Sequence, residues 1–234
     1  MPVSSESIQN ITSHTAAHKS IHFLSKVQTH MATRKSQRTI VRMPLPKEPI
    51  WPLRVHQYHE MVRSGILTDD DPVEFLEGLL VLKMPKNPPH RIATQVTREA
   101  LAHVVPSGWY VDDQEPITTK DSEPEPDVVI VQGDRRDYFD RHPYADEVAL
   151  VVEVADTTLQ RDRTSKKRLY ARAGIAIYWI INLVERKIEV YTKPLSNAEE
   201  PAYQGRRDYE LTESIPVLIN NQIIAEIHVQ TLFP

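Results

Sequence analysis

Two strongly apolar runs, at residues 126–131 and 148–154, are the clearest pattern in the chain. Such runs are typical of strands that a sheet buries on both faces. Apolar side chains also recur at helical spacing at residues 89–105, which predicts a helix. A second helix is predicted at residues 160–173, with Thr158 as its N-cap and Gly174 at its end. The chain therefore combines buried strands with helices that cover them.

Shorter segments complete the pattern. Residues 55–64 predict another helix, which ends at Gly65. The remaining strands are predicted at residues 73–84, 109–111, 116–119, 175–181 and 187–191, with one or two edge strands within 209–233. The last two of the five form a hairpin around a turn. This order predicts an α/β fold, with a mixed β-sheet flanked by α-helices and extra C-terminal strands.

The composition fits one soluble domain. The chain has 234 residues, of which 40% are apolar and 26% charged, enough for one domain of generous size. It contains no cysteine, which excludes disulfides, thiolate metal ligands and cysteine nucleophiles. No apolar stretch is long enough to span a bilayer and no signal peptide is recognisable. We therefore expect a cytoplasmic protein that has no membrane partner.

Charge and proline content divide the chain near residue 52. Residues 1–50 carry seven basic and two acidic side chains, a net charge of +5, and because the whole chain carries −4 the remainder carries −9. We predict a basic, proline-rich and poorly ordered arm at residues 1–52, and a folded domain at residues 53–234. The arm is either a solvated tail or a non-specific contact for phosphates.

Two acidic residues interrupt the buried runs. Glu153 lies within a run that is otherwise apolar, where an ionised carboxylate is costly unless it is paired, hydrogen-bonded or bound to a metal. Taken alone it could form a structural salt bridge, and Asp127, which follows a proline, could be a turn residue. Carboxylates on neighbouring central strands can converge, and paired oxygens suit Mg²⁺ or Mn²⁺. Together they predict a divalent metal site.

The helix after Glu153 adds further candidates. Asp162, Lys166 and Tyr170 are spaced by four residues and share one helix face. If Lys166 points towards the sheet, its ammonium could hold a water or neutralise charge in a transition state. The alternative is an exposed ion pair between Asp162 and Lys166 within the helix.

Two segments nearer the N-terminus hold the last candidates. Glu74 lies just before the first apolar strand and could be a further metal ligand or an orienting carboxylate. Glu77 is an equally good candidate from local sequence. His90 begins a predicted helix after two prolines, where a histidine is more often structural than catalytic.

These features together resemble the Uma-two family of restriction endonucleases, formerly a domain of unknown function, in the PD-(D/E)XK nuclease superfamily. The resemblance spans residues 53–191. It rests on VHQYH at 55–59, GILTDDDPVEFLEG at 65–78, His90, PD at 126–127, VVEV at 151–154, Asp162 with Lys166, and YARAGIAIYW at 170–179. The resemblance implies a restriction-endonuclease-like core that cuts DNA with Mg²⁺ or Mn²⁺. It also implies that Glu74, Asp127 and Glu153 form the acidic metal-binding set and that Lys166 takes the lysine role.

The chain departs from the superfamily pattern at one important position. The pattern places a lysine two residues after the glutamate, and Ala155 stands there, so Lys166 must substitute from the helix. Asn182 and Pro72 replace an aspartate and an arginine that are common in relatives, and both lie outside the acidic set.

Three functions stay open at this point. The leading hypothesis is a Mg²⁺-dependent endonuclease that hydrolyses DNA phosphodiester bonds. The first alternative is a nuclease fold without catalysis that binds DNA or protein, which the missing strand lysine and the acidic domain favour. The second is a metal-dependent phosphohydrolase of nucleotides or RNA, because one fold hosts many functions. Cutting both strands would favour a two-fold homodimer.

Overall fold

The computed structural model describes residues 47–234. The predicted arm at residues 1–52 therefore lies almost wholly outside the described residues. The helices are α1 (Val55–Arg63), α2 (Pro88–Val104), α3 (Leu159–Arg161) and α4 (Lys167–Ala173), with a π-helical turn at Asp162–Lys166 joining the last two. The strands are β1 (Val73–Leu76), β2 (Leu79–Leu82), β3 (Trp109–Asp112), β4 (Val128–Gln132), β5 (Val148–Ala155), β6 (Ile177–Asn182), β7 (Lys187–Leu195), β8 (Ala202–Glu210), β9 (Ser214–Ile219) and β10 (Gln222–His228).

The central element is a six-stranded mixed sheet in the order β3-β4-β5-β6-β7-β8. Only β5 and β6 pair in parallel, and the other neighbours are antiparallel. Strands β4 and β5 are the two predicted apolar runs, and all eight residues of β5 are buried. The predicted α/β fold is confirmed, as is the hairpin that β6 and β7 form.

The sheet is covered on both faces because side chains alternate along its strands. On β5, Val152 and Val154 face a layer that contains α2, while Val151 and Ala155 face the layer of α4. Glu153 has the same parity as Ala155 and so points towards the helical segment that follows it in sequence. Among the described residues, no helix is both long and apolar enough to cross a membrane.

Two predicted strands differ from the structure. The segment 73–84 is a hairpin of two strands rather than one, because Glu77 and Gly78 adopt φ of 49° and 78° and form a two-residue turn. The predicted strand at 116–119 is wrong. Thr118 makes only an isolated bridge to Tyr144, and Pro116 has no amide hydrogen with which to extend a ladder.

The C-terminal strands also differ from expectation. Strand β8 begins at Ala202, before the predicted tail, and forms the edge of the main sheet. Strands β9 and β10 form a separate hairpin rather than edge strands of that sheet. Their buried side chains Ile215, Val217 and Ile227 belong to the same core as α2, so the hairpin helps cover one face.

The predicted helix at 160–173 contains the π-helical turn Asp162–Lys166. Such turns are rare and are often found at functional sites. The buried carboxylate of Glu189 on β7 anchors this π-helical turn. It accepts two hydrogen bonds from Arg163 Nε, of 2.9 and 3.1 Å. It also accepts hydrogen bonds from Asn182 Nδ2 at 2.9 Å and Tyr191 OH at 2.7 Å. Asn182 therefore takes part in anchoring the turn.

This anchor predicts a pH-dependent contribution to stability. Burial opposes ionisation of Glu189, but hydrogen bonds from Arg163, Tyr191 and Asn182 outweigh it and hold its pKa below the usual value. The contribution is therefore complete above the unfolded pKa of about 4.3 and is lost as the pH falls through the lower folded pKa. We expect Glu189→Gln to lower the free energy of unfolding by about 2 kcal/mol at pH 7. In urea titrations the difference from wild type should be constant above about pH 5 and shrink below about pH 4, and a difference that does not change with pH would contradict the prediction.

Candidate active site

The predicted acidic residues meet in one cleft between the β1–β2 hairpin, the start of α2 and the π-helical turn. Glu74 on β1, Asp127 just before β4, Glu153 on β5 and both Asp162 and Lys166 of the π-helical turn line it. The cleft encloses about 70 Å³, which is room for an ion with a few waters. The fold thus brings together side chains that lie up to 92 residues apart in sequence.

Lys166 lies at the centre of this cleft. Its side chain is only 1% exposed, and its Nζ contacts Glu74 Oε1 and lies 3.1 Å from Glu153 Oε1. Burial alone would lower the pKa of the ammonium, but the charges of Glu153 and Glu74 raise it above its usual value. Lys166 is therefore a buried cation shared by two carboxylates, and the alternative of an exposed pair with Asp162 is wrong.

Glu74 is held by three donors. Its Oε1 accepts the Lys166 ammonium and the backbone N–H of Glu125 at 2.9 Å, and its Oε2 accepts Arg161 Nη2 at 3.2 Å. Because its Oε1 is paired with the fully buried ammonium of Lys166, Glu74 fits the orienting role better than that of a direct metal ligand. It fixes Lys166 against the sheet.

Glu153 is satisfied on one oxygen. Its Oε1 accepts the Tyr170 hydroxyl at 2.6 Å and faces Lys166, while Oε2 accepts no hydrogen bond within residues 47–234. Burial raises the pKa of Glu153 to about 8, with Lys166 acting against this rise and Asp127, Asp162 and Glu74 adding to it. The site therefore resists further negative charge and would gain from a second cation.

Asp127 lines the cleft beside Lys86 and His90. Its Oδ2 accepts the Val154 N–H at 2.9 Å and lies 3.1 Å from His90 Nε2, and its Oδ1 lies 3.2 Å from Lys86 Nζ. Burial works to raise the pKa of Asp127, but His90, Lys86 and the Val154 amide outweigh it and hold the pKa below the usual value. Asp127 is thus ionised and is tied to β5 through Val154.

The accessory candidates lie on the helical side. Asp162 Oδ2 accepts the Thr158 hydroxyl at 2.6 Å, and burial raises the pKa of Asp162 to about 6 against the effects of Thr158, Lys166 and Arg161. Tyr170 is fully buried, and its hydroxyl orients Glu153. Asp162 lines the cleft, whereas Tyr170 does not line it and acts on it through its hydrogen bond to Glu153.

A comparison of the sequence with family profiles identifies the family of this chain. The profile of a family described as "Uma2: Putative restriction endonuclease" matches residues 55–223, well over half of the chain. The chain belongs to this family. No curated protein matches the chain.

A structural comparison agrees with the Uma2 assignment. A crystal structure described as "a putative nuclease belonging to DUF820 from Anabaena variabilis ATCC 29413" superposes with a TM-score of 0.57 at 16% identity, covering 78% of this chain and 98% of that chain. At 16% identity this similarity shows a shared fold and nothing more. It confirms the predicted restriction-endonuclease-like architecture of this Uma2 protein.

The structure separates the remaining Uma2 candidates. Glu77 lies in the β1–β2 turn and pairs with Arg168 and Arg172, at 2.5 and 2.7 Å, outside the cleft. His90 contacts Asp127 and so lies at the site. Ala155 shares the face of Glu153 and is buried beside Tyr170. Lys166 reaches Glu153 from the helix on this same side of the sheet.

Sequence reasoning missed two cationic residues at this Uma2 site. Arg161 holds Glu74, and Lys86 pairs with Asp127. Lys86 precedes Asn87, whose side chain caps α2 by accepting the His90 N–H at 3.0 Å. An asparagine followed by two prolines is a recognisable helix start and could have drawn attention to its neighbours.

The cleft of this Uma2 protein fits a divalent cation by its charge. Six carboxylates and four lysine or arginine side chains line it, an excess of two negative charges when all are ionised. Within residues 47–234 no three histidine or acidic side chains surround one point, because Lys166 lies between Glu74 and Glu153. The oxygens that fit an ion best are Glu153 Oε2, which accepts no hydrogen bond from the described residues, and Asp127 Oδ1, whose partner Lys86 is 39% exposed.

Proposed function

We propose that this Uma2 protein is a metal-dependent endonuclease that hydrolyses DNA phosphodiester bonds, with Mg²⁺ or Mn²⁺ as its cofactor. One observation carries the proposal: Lys166, fully buried, bridges Glu74 and Glu153 in a cleft that keeps an excess of negative charge. A lysine held beside a carboxylate pair suits a reaction in which charge develops on a phosphoryl group.

The side chains divide into two groups in this proposal. Asp127 and Glu153 would hold the ion, which when bound supplies Lewis-acid stabilisation to the phosphate. Lys166 donates hydrogen bonds to a phosphate oxygen or to the attacking water, and Glu74 keeps its ammonium in place. Tyr170 and His90 fix the rotamers of Glu153 and Asp127.

The missing strand lysine is compatible with this mechanism. A lysine at position 155 would project from the same face of β5 as Glu153, because the two positions are two residues apart. Lys166 brings an ammonium to 3.1 Å from Glu153 Oε1 by way of the helix instead. The small Ala155 side chain leaves the space that the helix fills.

Cleavage of supercoiled plasmid tests the proposal. We expect nicked and linear products with Mg²⁺ or Mn²⁺ and none with EDTA, because the cleft needs a cation to offset its charge. Linear product that appears together with nicked product would favour a two-fold dimer acting on both strands. Unchanged plasmid across a range of divalent ions would contradict the proposed function.

A second candidate function is binding without cleavage. The internal pairing of Glu74, Asp127 and Glu153 with cationic side chains favours it, since the cleft is already partly neutralised. It predicts DNA binding without metal-dependent cleavage, weakened by deletion of the basic residues 1–50. A panel of RNA and nucleotide substrates separates both candidates from a phosphohydrolase of another class.

A further inference from the structure

A large groove lies beside the cleft and takes no part in the proposed chemistry. It has a volume of about 740 Å³, within the usual range for small-molecule sites. It shares Lys83 and Glu125 with the cleft, and these two side chains form an ion pair of 2.7 Å on the boundary. A nucleotide strand whose phosphate enters the cleft would therefore place a neighbouring base within reach of the groove.

One wall of the groove presents aromatic rings. Phe139 is 89% exposed and Tyr144 is 48% exposed. The Arg141 guanidinium lies over the rings of Tyr138 and Tyr144, 5.0 and 4.5 Å from their centroids. Glu147 holds that guanidinium with two hydrogen bonds of 2.7 Å. Tyr144 is thus a fixed ring with exposed surface, and such rings stack on bases of single-stranded nucleic acid.

The polar groups of the groove suit a base rather than a phosphate. Six carboxylates line it against three lysine or arginine side chains, so a phosphodiester backbone would be repelled. Carboxylates accept hydrogen bonds from exocyclic amino groups. Glu123 is nearly buried and accepts the Thr118 hydroxyl at 2.7 Å, and its Oε1 also contacts His59 Nε2 at 2.5 Å, so His59 is held at the groove wall.

Gln114 adds a donor and an acceptor at the same place. It lines the groove with an exposed side chain, and its φ of 59° is unusual for a residue other than glycine. The backbone N–H of Gln114 donates to Pro126 O at 3.0 Å, and this hydrogen bond fixes the strained residue next to Asp127 in the cleft. A glutamine amide pairs with the N6 and N7 atoms of adenine.

We propose that this groove binds an unpaired adenine base next to the phosphate that enters the cleft, with Tyr144 stacking on the base and Gln114 reading its edge. The inference rests on the proposed function, since it assumes that the cleft takes a nucleic-acid phosphate. It adds a base preference at a site where neither the fold nor the acidic set would supply one.

Anisotropy of labelled single-stranded oligonucleotides tests the inference, with the full chain in Ca²⁺, which can occupy the carboxylate site and so admit a phosphate to the cleft. Gel analysis of the same samples checks that the oligonucleotides are not cut. We expect oligo(dA) to bind about tenfold more tightly than oligo(dT), the ratio that one lost stacking or hydrogen-bonding contact gives. Tyr144→Leu should weaken oligo(dA) binding about tenfold. Gln114→Met should remove the preference while leaving oligo(dT) affinity unchanged. Ile223→Ala, an exposed position on β10, is the matched control.

The other results would overturn the inference in distinguishable ways. Equal binding of both oligonucleotides by wild type and groove variants, together with plasmid cleavage, would overturn the base site and leave the proposed function standing. Absence of all oligonucleotide binding would overturn the base site, and the plasmid assay would then decide the proposed function by itself. A lysine-rich peptide that binds more tightly than oligo(dA), and is weakened by Tyr144→Leu, would assign the groove to protein recognition. Competition by deoxyadenosine monophosphate would show that the free nucleotide also fits. If Tyr144→Leu fails to fold, Phe139→Ala, at a ring on the same groove that is 89% exposed, should weaken oligo(dA) binding, and unchanged binding would overturn the stacking part of the inference.

Discussion

Glu153→Gln is expected to reduce plasmid cleavage by at least about a thousandfold, the scale seen when one preorganised charge-stabilising group is removed from an active site. The substitution keeps the volume of the side chain and its hydrogen bond from Tyr170. It removes the negative charge that Lys166 and a divalent ion would share. The fold should persist, because Glu74 still pairs with the Lys166 ammonium and burial disfavours the charge that the substitution removes.

One control variant and one binding measurement test the role of Glu153 further. Glu213→Gln removes a carboxylate that pairs with Arg207 at 3.3 Å outside the cleft, and should cut plasmid as wild type does. Calorimetric titration with Mn²⁺ should show weaker binding to Glu153→Gln and unchanged binding to Glu213→Gln. Equal cleavage by Glu153→Gln and wild type would remove Glu153 from the site. If Glu153→Gln binds Mn²⁺ weakly but folds normally, its loss of cleavage comes from the missing ion and not from unfolding.

Lys166→Met is expected to lower the free energy of unfolding by about 3–5 kcal/mol, the cost of removing one partner from a buried ion pair. It leaves Glu74 and Glu153 facing each other at 3% and 6% exposure without the shared cation. Chemical denaturation at pH 7 measures the effect. Lys120→Met, at an exposed lysine, should change stability by no more than about 0.5 kcal/mol.

A double substitution tests the cause of this loss. Lys166→Met combined with Glu153→Gln removes the cation and one of the carboxylates, so it should be less destabilising than Lys166→Met alone. If the double variant loses as much free energy of unfolding as the two single variants together, Lys166 acts through packing rather than through charge. Cleavage should be lost in both variants that lack Lys166.

Much of the fold followed from local patterns. The runs that became β4 and β5 were recognisable because a strand buried on both faces has no polar alternation. Helix α2 followed from apolar spacing, and the helix at 160–173 followed from Thr158 and Gly174 at its ends. Asp127 and Glu153 stood out for the same reason, since a carboxylate within or beside a buried run needs a partner. Local patterns failed at residues 116–119, where pairing depends on a distant residue, Tyr144.

The tertiary structure decided what those carboxylates contact. From sequence, Glu74 and Glu77 were equal candidates; the turn at Glu77 and Gly78 directs Glu77 to Arg168 and Arg172 and leaves Glu74 facing Lys166.

The sequence by itself determined that Asp127 and Glu153 are carboxylates of a buried sheet, because the apolar residues around them indicate strands that are buried. Only the tertiary structure decided that Lys166 lies between Glu74 and Glu153, and that the groove with Tyr144 opens beside them. The physical reason is that spacing along a helix fixes only which residues share a face. Where that face points depends on the π-helical turn and on its anchor at Glu189, which is contributed by a strand 26 residues away from Arg163.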